Sequence, residues 1–306
     1  MENSPSLSDA TRVARLQPPA DVVRMVLDTD TYNEVDDQFA LVYALRSPEW
    51  VKVEAIYAAP YSHHSTSPAE GMELSYKEIL RLLELLHISP DGWVFKGASG
   101  YLKPGLQPRE SPAAIDLVAR AMNTPKDDPL YVVAIGAITN VASAILMEPR
   151  IIERIVVVWL GGNALHWPHT REYNLGQDVP AARLVFDCGV PLVHIPCEGV
   201  TTHLATTIPE LERYLQGHSA IGDYLVDIVR NYETDHFGWS KVIWDIATIA
   251  YLIDSAWVPA PLIHSPILTD QVTWSFDRSR HLIRSAAFVY RDPIFRDLFT
   301  KLQKTA

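Results

Sequence analysis

The sequence predicts an α/β domain on a doubly wound, mostly parallel sheet, with a helical elaboration toward the C-terminus. Three observations predict it. Short apolar runs alternate with segments of helical periodicity through the first two thirds of the chain. These runs are nearly continuous rather than alternating apolar and polar, as strands buried on both faces read. The last third strings together amphipathic helical segments instead.

Each element follows in order. Residues 22–27 (VVRMVL) are the first strand, and 37–46 a helix with Phe39, Ala40, Tyr43 and Ala44 at helical spacing. A strand at 51–58 (VKVEAIYA) precedes a helix at 69–86, patterned by Met72, Leu74, Ile79, Leu80, Leu82, Leu83 and Leu86. Strands at 93–95, 130–135, 155–160 and 191–195 alternate with helices at 113–122, 140–147 and 180–188. Helices are then expected at 208–215, 220–232 and 241–252, with a late hairpin of 272–276 and 282–290. No linker or repeat interrupts 22–306, so one domain is expected there. Residues 1–21 read as a flexible polar lead-in ending near Pro18 and Pro19.

Composition excludes some functions. The net charge of −11 argues against nucleic-acid binding, which needs a basic face, and against anionic membranes. The N-terminus lacks a secretory pattern, and no apolar run has the roughly 18 residues needed to span a bilayer. The two cysteines, Cys188 and Cys197, are too few for a disulfide scaffold and suit a reducing compartment. A cytoplasmic protein is expected.

The chemistry concentrates in VLDTDTYNEVDDQFALVYAL, residues 26–45. Asp28, Asp30, Glu34, Asp36 and Asp37 crowd the end of the first strand, where open parallel sheets bind ligands. An acidic loop capping the next helix would use one or two of these carboxylates. Five such groups repel one another unless protons or a cation intervene. Oxygen ligands suit a hard cation, Ca²⁺ or Mg²⁺, and no His/Cys set has zinc spacing. The aspartyl-phosphate phosphatase signature fails, because Tyr32 stands where that motif has Thr or Val.

DTDTYNEVDDQFAL resembles the opening signature of the calcium-dependent inosine-uridine preferring nucleoside hydrolases, in a variant with two extra residues before the paired Asp. Four more blocks resemble that family in the same order: AIGAITNVASAI (134–145), WLGGN (159–163), REYNLGQDVPAA (171–182) and WDIATIAYLI (244–253). The resemblance covers roughly residues 22–255. It implies a nucleoside hydrolase-like, Rossmann-like fold and cleavage of an N-ribosyl bond with Ca²⁺. It implies a nucleoside or related ribosyl substrate and a homodimer or homotetramer.

Residue by residue, the resemblance makes Asp30 both a metal ligand and the base for the attacking water. Asp37, Asp245 and the backbone carbonyl of Ile135 complete the metal ligands, and Asp36, Glu172 and Asn174 hold the sugar. Asp28 is expected to support the loop through backbone N–H groups. The sequence departs from the family twice. Trp244 replaces the His thought to protonate the leaving base; its indole can stack on a base but not donate a useful proton. Trp167 and Trp239 are further stacking candidates, and His166, His169 and His236 are replacement acids, with His166 carried as a substrate-binding residue. The loop after the second strand, 58–71, lacks the family's ribose-binding Asn, leaving Ser62, His63 or His64 as substitutes. Asn163 comes too early for the other sugar Asn. Cys197 faces the same crevice and reads as a buried small residue. The rivals are a sugar-binding protein that keeps the metal shell without turnover, and a Mg²⁺ phosphohydrolase, which needs a basic residue beside the acids.

Overall fold

A computed structural model describes residues 7–102 and 105–303. Its sheet grows from the apolar runs. β1 (Val23–Thr29), β2 (Val51–Ala58), β3 (Val94–Lys96), β4 (Leu130–Ala134), β5 (Ile155–Leu160) and β6 (Leu192–Ile195) are parallel. Every residue of β4, β5 and β6 is buried, which explains their unbroken apolar sequences. Side chains alternate between two cores. Met25 and Leu27 join one and Val26 the other; Val156, Val158 and Leu160 join the first, and Ile155, Val157 and Trp159 the second.

The sheet runs β3-β2-β1-β4-β5-β6-β12-β9, where β12 is Leu282–Ser285 and β9 is Leu262–His264. β12 lies parallel to β6, and β9 is antiparallel at the edge. The chain winds outward from β1 in one direction and from β4 in the other. The β1/β4 boundary is therefore the switch point where a ligand crevice opens.

Helices cover both faces. The connecting helices are α2 (Asp37–Leu45), α3 (Pro68–Leu85), α4 (Pro112–Asn123), α5 (Thr139–Met147), α6 (Tyr173–Gln177) and α7 (Val179–Asp187). α8 (Ile208–Leu215), α9 (Ala220–Tyr232), α10 (Ile246–Ile253) and α11 (Arg291–Leu302) form the C-terminal elaboration. No described helix is long and apolar enough to cross a membrane.

Four expectations change. The helix expected at 241–252 begins only at Ile246; Lys241–Val242 (β8) instead pairs with Ala205–Thr206 (β7). The late hairpin does not form. Trp274–Ser275 (β11) pairs with Ile267–Leu268 (β10), while β12 enters the main sheet, because alternation marks a strand but not its partner. α11 went unread, although Ile294, Phe295, Leu298, Phe299 and Leu302 line one buried face. Within the expected lead-in, Asp9–Arg15 (α1) is a helix capped by Ser8, and buried Arg12 donates to the Gly189 carbonyl at 2.5 Å.

Candidate active site

The crevice at the β1/β4 switch point is a cavity of about 450 Å³. β1 delivers Asp28 and the turn after it delivers Asp30; Asn33 N–H donates to the Asp30 carbonyl at 2.8 Å, closing that turn. Asp36 and Asp37 sit at the start of α2, and Asp245 precedes α10. All five aspartates are at most 4% exposed. Oxygens of Asp36, Asp37 and Asp245 lie within 4.8 Å of one another, and Asp245 is within hydrogen-bonding reach of both partners.

Such a cluster resists full ionisation. Burial, and then repulsion from neighbouring carboxylates, holds Asp30, Asp37 and Asp245 well above the usual carboxylate range. Burial pushes Asp36 up to about 6, against the pull of Lys241. Thr29 Oγ1 donates to Asp37 at 2.5 Å, fixing one oxygen, whereas Asp30 Oδ2 is buried without a hydrogen-bond partner. Oxygen donors in excess of protons, converging from three segments, fit a hard divalent cation rather than a soft one.

Close packing holds Asp30 in place. A Cβ on Gly136 would lie 2.7 Å from Asp30 Oδ1, so only glycine fits after Ile135. The glycine turn after β5 is fixed similarly. Gly162 has φ +73°, and a Cβ there would meet Thr170 Oγ1 at 2.5 Å.

Asp28 does not bond backbone N–H groups as expected. It accepts from Asn140 Nδ2 at 2.8 Å, while Asn140 Oδ1 accepts from Ala98 N–H at 2.8 Å. Burial raises Asp28 to about 7.

Glu172 caps α6. Its oxygens accept from the N–H groups of Gly162 (2.6 Å), Asn174 (2.8 Å) and Leu175 (3.0 Å). The buried Cys197 thiol lies close to it, and burial and this carboxylate push the thiol well above its usual range. Asn174 Nδ2 donates to the carbonyls of Ile135 at 3.0 Å and Leu160 at 3.1 Å. An Ile135 oxygen that accepts this amide keeps a second lone pair. Glu172, Asn174 and Ile135 all line the cavity.

Trp244, Trp167 and His169 also line it. Trp239, His236 and His166 are not on that wall: Trp239 packs near Tyr232 and His236, and His166 lies beside Trp167. Ser62, His63 and His64 are off the wall too. Ser62 N–H and Oγ both donate to Gln177 Oε1, at 3.0 and 2.9 Å, and Tyr173 OH donates to the Ser62 carbonyl at 2.9 Å. Asn163 is on the wall but committed: it donates to His169 O and accepts from Glu198 N–H.

The sequence reading missed Lys241, which is buried and ion-paired with Glu34, and whose charge acts on Asp36. It missed Asn33, Arg171 and Glu198 on the wall as well. Lys241 carries no local signal, since its place depends on β8 folding back beside the first acidic stretch. Asn33 stood inside the motif and could have been read from it.

The family profile described as "Inosine-uridine preferring nucleoside hydrolase" matches residues 25–281. The chain is 31% identical over 259 residues to the pyrimidine-specific ribonucleoside hydrolase RihA of Klebsiella pneumoniae, covering 75% of this chain and 79% of that one. It is 29% identical over 258 residues to RihA of Escherichia coli, with the same coverage. In structure it is similar to the plant nucleoside hydrolase PpNRh1, with TM-score 0.75, 21% identity and coverage of 94% of this chain and 100% of that one. It is also similar to a purine-preferring ribonucleoside hydrolase from Gardnerella vaginalis, with TM-score 0.76, 21% identity and coverage of 92% and 98%. The profile spans the segments that build the acidic cavity, and with it and a relative 31% identical over 75% of this chain's length the chain belongs to the inosine-uridine preferring nucleoside hydrolase family.

Proposed function

We propose that this chain cleaves the N-glycosidic bond of a ribonucleoside or a close N-ribosyl analogue, with Asp30 taking the proton of the attacking water. The observation that carries this reading is Asp30 Oδ2, buried and unpartnered, on a cavity wall shared with six other carboxylates. Charge develops as an oxocarbenium-like cation at the anomeric carbon. Carboxylates aimed at that carbon stabilise the transition state more than the neutral substrate.

Asp36, Glu172 and Asn174 are proposed to hold the sugar. Three backbone N–H groups keep Glu172 in one orientation, which supports the role by preorganisation. Asp30, Asp37, Asp245 and the Ile135 carbonyl would hold Ca²⁺. When bound, this ion would offset the repulsion among the carboxylates and acidify a water. Trp244 and Trp167 offer rings for the base, and His169 is the imidazole on that wall able to protonate it. One arginine, Arg171, against seven carboxylates on the wall favours an uncharged sugar over a phosphate ester.

The test is a panel of purine and pyrimidine ribonucleosides incubated with Ca²⁺ or chelator, with free base followed by chromatography. Chelator-sensitive base release is expected. Nucleoside binding without release from any member would replace the hydrolase with a sugar-binding protein. We also propose a cytoplasmic homodimer or homotetramer; the oligomer follows from the resemblance and the compartment from two unpaired cysteines. Sedimentation returning a monomer would remove the oligomer.

A further inference from the structure

Three amides line the cavity, and two are at work inside the protein. Asn163 is bonded at both ends of its side chain, and Asn174 gives its nitrogen to two carbonyls. The third, Asn33, has a buried Oδ1 with no partner. Such an acceptor is costly unless something bonds to it. Asn33 is held in register by its own N–H, bonded to the Asp30 carbonyl, so its side chain sits on the turn that joins Asp30 to Asp36. Asn33 also borders a second hollow with Tyr32, Gln38, Glu78 and Tyr224, but a group that reaches its amide from the first cavity lies against the acidic wall. In a nucleoside that half is the hydroxylated sugar, whereas the apolar rings of Trp167 and Trp244 suit the base. The loop after β2 offers no competing contact, because Ser62 is tied to Gln177 and neither it nor His63 and His64 reach the wall.

We propose that Asn33 reads the sugar: its amide oxygen accepts a hydrogen bond from one ribose hydroxyl and so sets the preference for ribose over the deoxy sugar lacking that group. This rests on the nucleoside reading above. It assigns the contact to the acidic turn itself rather than to the loop after β2.

The experiment compares the wild type with Asn33→Ala and Asn33→Asp on uridine and inosine and on their 2′-, 3′- and 5′-deoxy forms. It measures kcat/KM by base release and affinity by calorimetry. Melting temperature checks that each variant is folded; the Asp variant keeps an acceptor at the same reach. The expected result is an about 10-fold loss of kcat/KM for Asn33→Ala on the full ribonucleosides. That loss should vanish on one deoxy series, with partial recovery in Asn33→Asp. An equal loss on the full sugar and all three deoxy series overturns the inference, as does no loss. Base release with such a flat pattern sinks Asn33 and leaves the hydrolase standing. Hydroxyl-dependent binding through Asn33 without base release sinks the hydrolase and leaves Asn33 standing. Neither binding nor release overturns both.

Discussion

The two ends of α2 hold buried charge in opposite ways. At its C-terminal end, Lys301 of α11 is 5% exposed in its side chain and meets Asp297 at 3.0 Å, Glu49 at 3.1 Å and Ser47 Oγ at 2.9 Å. Tyr43 OH donates to Asp297 at 2.6 Å. That cluster contains its own cation. At the N-terminal end, Asp36 and Asp37 meet Asp245 and repel Asp30, and Lys241, whose charge acts on Asp36, is engaged by Glu34. A polar cluster that only stabilises a fold closes on itself. One left with surplus carboxylates in a cavity is built for something the chain does not supply.

The largest test of that contrast is a pair of substitutions with opposite readouts. Asp30→Asn is expected to cut base release by about 10³-fold or more, the scale of a lost general base, while leaving the melting temperature unchanged or raised. Lys301→Met is expected to cost roughly 3 kcal/mol in denaturant unfolding by stranding buried partners, with kcat/KM retained while folded. Equal stability losses from both would erase the distinction between the two ends.

Next comes metal removal. In chelated protein burial and mutual repulsion hold these carboxylates above the ordinary aspartate value of 3.8, Asp36 at about 6 and Asp30, Asp37 and Asp245 well above the usual range. The folded state then binds more protons than the unfolded chain across that window. Its stability is fullest below 3.8 and falls as pH rises through the raised values. A cation that binds only the folded state adds about 2.7 kcal/mol at 100 times its Kd. Thermal melts with Ca²⁺ and with chelator should therefore separate more at about pH 8 than at about pH 5. A gap that narrows as pH rises would contradict a metal held by these groups.

The smallest effect is at the aromatic wall. Trp244→Ala should lower kcat/KM about 10-fold for the preferred base, and Trp244→Phe less, since base stacking on an aromatic ring is worth roughly 1–3 kcal/mol. Uniform losses across purines and pyrimidines would assign Trp244 to the core, against which it also packs.

Parts of this were legible from the chain alone. β4, β5 and β6 read correctly because burial on both faces leaves an apolar run in the sequence itself. The acidic stretch was legible as a site because five carboxylates within ten residues conflict with an ordinary loop. β11, β12 and β8 were misjudged because a short strand's partner is chosen by distant chain. Glu172 and Asn174 were named by their motif, but their bonds to Gly162, Ile135 and Leu160 depend on how α6 docks over the ends of β4 and β5.

The sequence by itself determined a parallel α/β sheet, an acidic mouth at the end of its first strand and the family to which that mouth belongs, because periodicity and motif are local properties. Only the tertiary structure decided that Lys241 braces Glu34 beside the cluster, and that His166 and Trp239 stay off the wall while Asn33 joins it. Those outcomes depend on loops closing across the sheet, and packing fixes the closures through contacts no short segment records.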